Sequence, residues 1–234
     1  MNTTIIVTVA VVLVVGWFAF GIIYNLRRGE AMLRWMQKGL PRIGEKTTLH
    51  WLGTSVAQLV IARAKGPVRS LETLLVLAPR DVPWLWLLSG LQGRRDTLIF
   101  RAQLSTPPRM DLDLLDPTSW TGRLAMQQAL RNGWTSRPSH GLQLLTSSAS
   151  LPLAQETVDG LDPAVRGVAP VYFRFSLRHD SPHLELHMSF PDPHQTDPAR
   201  FFDALISLAR AVGGAANEPR PGGPPRSITS QPSQ

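Results

Sequence analysis

From Ile5 to Tyr24 the chain reads IIVTVAVVLVVGWFAFGIIY, with no charged side chain anywhere in the run. A helix of about 20 residues, rising about 1.5 Å per residue, covers roughly 30 Å, the thickness of a bilayer's hydrocarbon core. The pattern predicts a transmembrane helix over residues 5–24, with residues 1–4 as a short extracytoplasmic tail. Trp17 and Tyr24 lie toward one end of the run, where aromatic rings favour the headgroup boundary. Asn25–Lys38 can carry the helix onward, because Met32, Leu33, Trp35 and Met36 fall at three- and four-residue spacings. Gly39 and Pro41 are stop signals, and Gly29 offers an earlier break. Residues 25–46 therefore read as a basic juxtamembrane helix or linker.

Beyond it the periodicity shortens. Thr48–Ala64 and Arg69–Leu77 are strand-like, separated by Lys65-Gly66-Pro67. Asp81 is a candidate N-cap for a short helix, Val82–Leu91, in which Pro83 fits the first turn. Thr97–Leu104 reads as a strand, and Met110–Leu115, alternating apolar and acidic residues, as an edge strand. Thr118–Arg131 is a helix with Thr118 or Ser119 as its cap. Gly141–Thr146 is a strand and Ser150–Asp159 a short helix. Val168–Leu177 and His183–Phe190 are strands, and Pro198–Val212 is a closing helix with Phe201, Phe202, Leu205, Leu208 and Val212 near one stripe. This order predicts an α+β domain over residues 47–212, built on a mixed, largely antiparallel sheet with short helices. Residues 213–234, rich in Pro, Gly and Ser, read as a disordered tail.

Charge orients this plan. Arg27, Arg28, Arg34, Lys38, Arg42 and Lys46 follow the apolar run, opposed by Glu30 and Glu45. The positive-inside rule keeps that side cytoplasmic. A secretory signal peptide would carry its positive charge before the apolar run, and Met1–Thr4 has none. The expectation is a single-pass protein of the cell membrane or an endoplasmic-reticulum-type membrane, N-terminus outside and domain cytoplasmic. The net charge of +7 is concentrated in the membrane-proximal half. Arg27, Arg28, Arg34 and Lys38 are read as docking the chain to anionic lipid or to a membrane partner. Binding to a ribosome or other RNA is the alternative, since arginines suit phosphate. With no cysteine, the chain has no disulfide, thiolate nucleophile or cysteine metal site.

Candidate chemistry is sparse. His183, Glu185 and His187 alternate in HLELH, so on a strand all three share one face and can be read as zinc ligands of a metal-dependent hydrolase. A solvated strand face gives the same alternation, and the reading favoured is no metal, no cofactor and no catalytic residue. Gly53-Thr54-Ser55 echoes a nucleophile elbow but lacks the second glycine. Asp111, Asp113 and Asp116 read as a solvated edge, and Arg80, Asp81, Arg94, Arg95 and Asp96 as weak surface pairs around the short helix. That helix carries Trp84, Leu85, Trp86, Leu87 and Leu88 consecutively, so its apolar groups encircle it. Burial in the core is the first expectation. A surface for membrane or an apolar partner, carried by Trp84 and Trp86, is the second.

The order of certain landmarks carries a family resemblance. Tyr24-Asn25 and Gly29 follow the span, then Ala31 and Trp35. Trp51 and Gly53 precede apolar strands, Arg80-Asp81 precedes the short leucine-rich helix, and Asp96 opens a strand. Near the end, Leu184–Phe190 runs into Pro191, and Pro198 precedes a helix around Ala204 and Leu205. In this order the chain resembles calumin, a single-span endoplasmic-reticulum protein that serves as a cofactor of the multipass translocon and its intramembrane chaperone complex. Calumin's acidic lumenal segment and its basic, ribosome-associated coiled coil have no counterpart here. The resemblance implies a non-catalytic adaptor beside the protein-conducting channel, with insertion-channel subunits as partners, aiding the insertion or assembly of membrane proteins.

Overall fold

The computed structural model describes residues 3–169 and 171–215. Met1 and Asn2 of the expected N-terminal tail, and most of the expected disordered tail, lie outside the described residues. One helix, α1 (Thr3–Gly39), runs unbroken through the apolar segment and the basic segment beyond it. It does not break at Gly29, because its C-terminal turns are held by packing: Met32, Leu33, Trp35 and Met36 are buried in the domain core. The juxtamembrane stretch is therefore part of the domain and not a linker. The N-terminal part of α1 is exposed on all sides, and it is long and apolar enough to cross a membrane.

The domain is α+β. Its strands are β1 (Thr47–Trp51), β2 (Val56–Ile61), β3 (Val68–Val76), β4 (Thr97–Leu104), β5 (Leu112–Leu115), β6 (Thr135–Ser139), β7 (Leu142–Thr146), β8 (Tyr172–Leu177) and β9 (Leu184–Ser189). Among the described residues they form one nine-stranded sheet in the order β1-β2-β3-β4-β9-β8-β5-β7-β6. Every pairing is antiparallel. The other helices are α2 (Pro83–Leu91), α3 (Trp120–Arg131), α4 (Leu151–Val168) and α5 (Pro198–Ala215).

Strand alternation decides the layers. Leu71 and Leu75 of β3, Leu98 and Phe100 of β4, and Leu184 and Leu186 of β9 turn to one face, where the end of α1, α4 and α5 cover them. Trp35 meets Phe201 edge-on with ring centroids 5.1 Å apart, and Phe201 and Phe202 contact Phe100. A smaller cluster of Leu115, Ala129 and Leu145 packs α3 against the sheet around β5 and β7.

Several boundaries differ from the sequence reading for identifiable reasons. Residues 48–64 form a hairpin and not one strand: the chain turns between β1 and β2, where Gly53 adopts φ 87°. β5 is interior, between β8 and β7, and its Asp113 is buried instead of lining a solvated edge. α4 continues past Asp159 through Gly160 and Pro163, because Ala154, Val158, Leu161, Val165 and Val168 make a buried stripe that overrides local propensity. β6 contains Pro138 and escaped the periodicity, but as the outermost strand it tolerates the missing donor. Ser119 caps α3 as expected, its hydroxyl accepting from the Gly122 N–H at 2.9 Å.

Close approach of α1 to the domain depends on glycine. A Cβ at Gly39 would overlap the Phe202 ring and stand 2.9 Å from the Pro198 carbonyl oxygen. Gly39→Ala is expected to destabilise the domain by about 1–3 kcal/mol, measured by thermal unfolding of the full chain in detergent. Gly16→Ala, at a position with nothing within 4 Å, leaves the melting temperature unchanged.

Candidate functional site

The segment joining β3 to β4, residues 77–96, folds over the side of α1 where the exposed apolar run ends. Gly21, Asn25 and Gly29, each four residues from the next, form the contact stripe on α1. A Cβ at Gly21 would overlap the backbone of Arg80 and Asp81, so only glycine lets the segment approach that closely. Trp17 donates its indole N–H to the Arg80 carbonyl at 3.0 Å, and Gly29 faces the Trp51 ring.

Asp96 is the centre of this contact. Its carboxylate, 5% exposed, accepts a two-pronged bond from Arg80 at 2.8 and 3.0 Å. It also accepts from the Ala78 N–H at 2.9 Å and from the Arg28 guanidinium. Asn25, fully buried, accepts from Arg80 at 3.1 Å and donates to the Ala78 carbonyl at 3.0 Å. Arg80 also lies 5.0 Å over the Tyr24 ring, and Arg28 lies 5.9 Å over Phe190. Burial alone would raise the Asp96 pKa, but the bonds from Arg80, Ala78 and Arg28 outweigh it and hold the carboxyl below its ordinary value. The pairing of Arg80 with Asp96 is thus a buried network that fastens α1 to the sheet, in place of the weak surface pair read from sequence.

Beside the network stands α2. The expected core burial is overturned: Trp84 is 66% exposed, Leu87 61% and Leu91 78%, with Leu85, Trp86 and Leu88 also exposed. Asp81 does not cap the helix. Val82 occupies that position without a side-chain bond, and the Asp81 carboxylate accepts from the Thr54 hydroxyl at 3.4 Å. Trp86 meets Trp17 of α1 with ring centroids 5.7 Å apart, so the exposed apolar surface of α2 continues that of α1.

The four cations chosen from sequence separate in the structure. Arg28 belongs to the Asp96 network, while Arg27, Arg34 and Lys38 are exposed on α1, Arg34 within 3.9 Å of Glu30. The HLELH triad does not assemble. His183 is buried and its Nδ1 accepts the Leu104 N–H at 3.0 Å, and burial lowers its pKa. Glu185 takes His187 at 2.5 Å and Arg101 at 3.2 Å. Burial works against ionisation there too, but His187, Arg174 and Arg101 bring the Glu185 pKa down to about 2. Among the described residues no group of three His, Cys, Asp or Glu is placed to hold a metal ion. Comparison of the sequence with protein-family models and with curated proteins finds no match.

Asn25, Arg80 and Asp96 were not among the residues chosen for function. One signal was present: an amide bracketed by glycines four residues to either side, where an apolar run gives way to arginines. Removing the carboxylate strands two guanidiniums and the Ala78 N–H. Asp96→Ala is expected to cost about 3–5 kcal/mol, measured by thermal unfolding of the full chain in detergent at neutral pH. Since the folded pKa lies below the unfolded one, the Asp96 contribution is complete above the unfolded value and lost as pH falls through the folded value. The variant's deficit therefore shrinks on acidification, and a constant deficit would contradict the assignment.

Proposed function

We propose that the chain is a non-catalytic adaptor, anchored in a membrane by α1 and docked on the same surface by α2, that assists the insertion or assembly of membrane proteins beside a protein-conducting channel. The observation that carries the docking is the unbroken apolar surface from Trp17 to Trp86. Two exposed apolar elements meet at one end of the domain, and the Asp96 network holds them together. A short, all-round apolar helix of this kind is costly in water and stable at a lipid interface or against an apolar partner. The exposed Arg27, Arg34 and Lys38 support a cytoplasmic domain and an external N-terminus, under the positive-inside rule.

Support for the biogenesis role comes from the resemblance to calumin and from where its landmarks fall. Asn25, Gly29, Arg80 and Asp96 line the contact between anchor and domain, Trp51 abuts Gly29, and Trp35 is part of the core beneath. The motif order therefore coincides with one physical device, a rigid mount that sets the domain at a fixed angle to its anchor.

Crosslinking in native membranes, read by mass spectrometry, is expected to enrich insertion-channel subunits. Trp84→Glu with Trp86→Glu is expected to reduce that yield several-fold while leaving the chain membrane-integrated. Strong enrichment of unrelated proteins, or ribosome co-sedimentation that falls steeply with salt, would replace this reading.

A further inference from the structure

Between α2, the foot of the apolar run and the end of β9 lies an open cavity of about 360 Å³. Arg28, Arg80, Arg94 and Arg95 line it, with Trp86 on its apolar side and Asp96 as its one carboxylate. Asp96 is bonded by both Arg28 and Arg80. Arg94 and Arg95 are exposed in the turn that follows Leu91 and Gly93, immediately beyond the apolar helix.

Placement distinguishes this cavity from an ordinary basic patch. Arg28 is four residues beyond Tyr24, about 6 Å along the helix axis, and the cavity shares Trp86 with the apolar surface of α2. Positive groups therefore stand just outside an apolar surface that continues into the spanning segment. A phospholipid has the complementary layout, a phosphodiester joined to acyl chains. Guanidinium forks match phosphate oxygens, and basic side chains at a membrane surface favour anionic lipids.

We propose that this cavity binds the headgroup phosphate of an anionic phospholipid, held by Arg94 and Arg95, with its acyl chains along Trp86 and the leucines of α2. The site rests on the membrane docking of α2 proposed above and adds lipid selectivity to it. Arg28 and Arg80 keep their bonds to Asp96 and supply field without leaving the network. Occupancy would join α2 to the lipid at the foot of α1 and steady the domain on its anchor.

The full chain, purified in a non-ionic detergent, is titrated with phosphatidylglycerol, phosphatidylcholine or inorganic phosphate, and bound molecules are counted by native mass spectrometry. Phosphatidylglycerol is expected to bind about thirtyfold more tightly than phosphatidylcholine, the preference two arginines near a lipid surface can supply. R94Q and R95Q each lose part of that preference and the double variant loses it all. Equal binding of the two lipids, or an undiminished preference in the double variant, overturns the proposal. Inorganic phosphate binding as tightly as phosphatidylglycerol would overturn it as well, assigning the cavity to a soluble anion. Docking of α2 is read separately from quenching of tryptophan fluorescence by brominated phosphatidylcholine, which R94Q/R95Q leaves unchanged. Loss of lipid preference is thereby distinguished from loss of docking.

Discussion

One buried carboxylate governs how the two parts of this chain are joined. Asp96 is removed from water at the level where the apolar run of α1 gives way to the domain, and an ion in that position persists only if its oxygens are bonded. Arg28 of α1 and, from the β3–β4 connection, Arg80 and the Ala78 N–H meet that demand. Because Arg28 lies on α1 and Arg80 on the β3–β4 connection, satisfying the carboxylate also sets the helix against the sheet. Asn25 completes the arrangement by bonding both Arg80 and the Ala78 carbonyl.

The same constraint places α2. The β3–β4 connection must pass Gly21 closely enough for the Arg80 carbonyl to receive the Trp17 indole. The chain then turns directly into α2, whose Trp86 rests on Trp17. An apolar helix is thus delivered beside the apolar run and not into the core, which α4, α5 and the end of α1 already fill. α1 is divided along one continuous helix: apolar and exposed in its first half, core-forming in its second. Rigid coupling follows from that continuity, since bending α1 at Gly29 would draw Met32, Trp35 and Met36 out of the core.

The α+β class, the long apolar helix and most strands were legible because they rest on periodicity, which local sequence carries. The closing helix showed its stripe of Phe201, Phe202, Leu205, Leu208 and Val212, all buried in the structure. What escaped depended on contacts distant in sequence. Asp96 and Arg80 looked like surface charges because nothing near them in sequence reveals the pairing with Arg28, 68 residues away. Asp113 looked solvated because alternation alone cannot tell an edge strand from one flanked on both sides; Arg178 pairs with it at 2.6 Å in the interior of the sheet. The exposure of α2 went against the first expectation, because an all-round apolar helix suits the core as readily as an external apolar phase and the sequence does not show that the core is already filled.

The central claim is that α2 is immersed in the membrane beside α1, and the absence of cysteine from the chain makes it directly measurable. A single spin label at Leu87, read by electron paramagnetic resonance in liposomes, reports its contact with oxygen, which partitions into lipid, and with a water-soluble nickel chelate. The account predicts high oxygen and low nickel accessibility at Leu87, close to the values for a label at Phe20 of the apolar run. Nickel accessibility as high as that of a label at exposed Arg131 would place α2 in water and contradict the account.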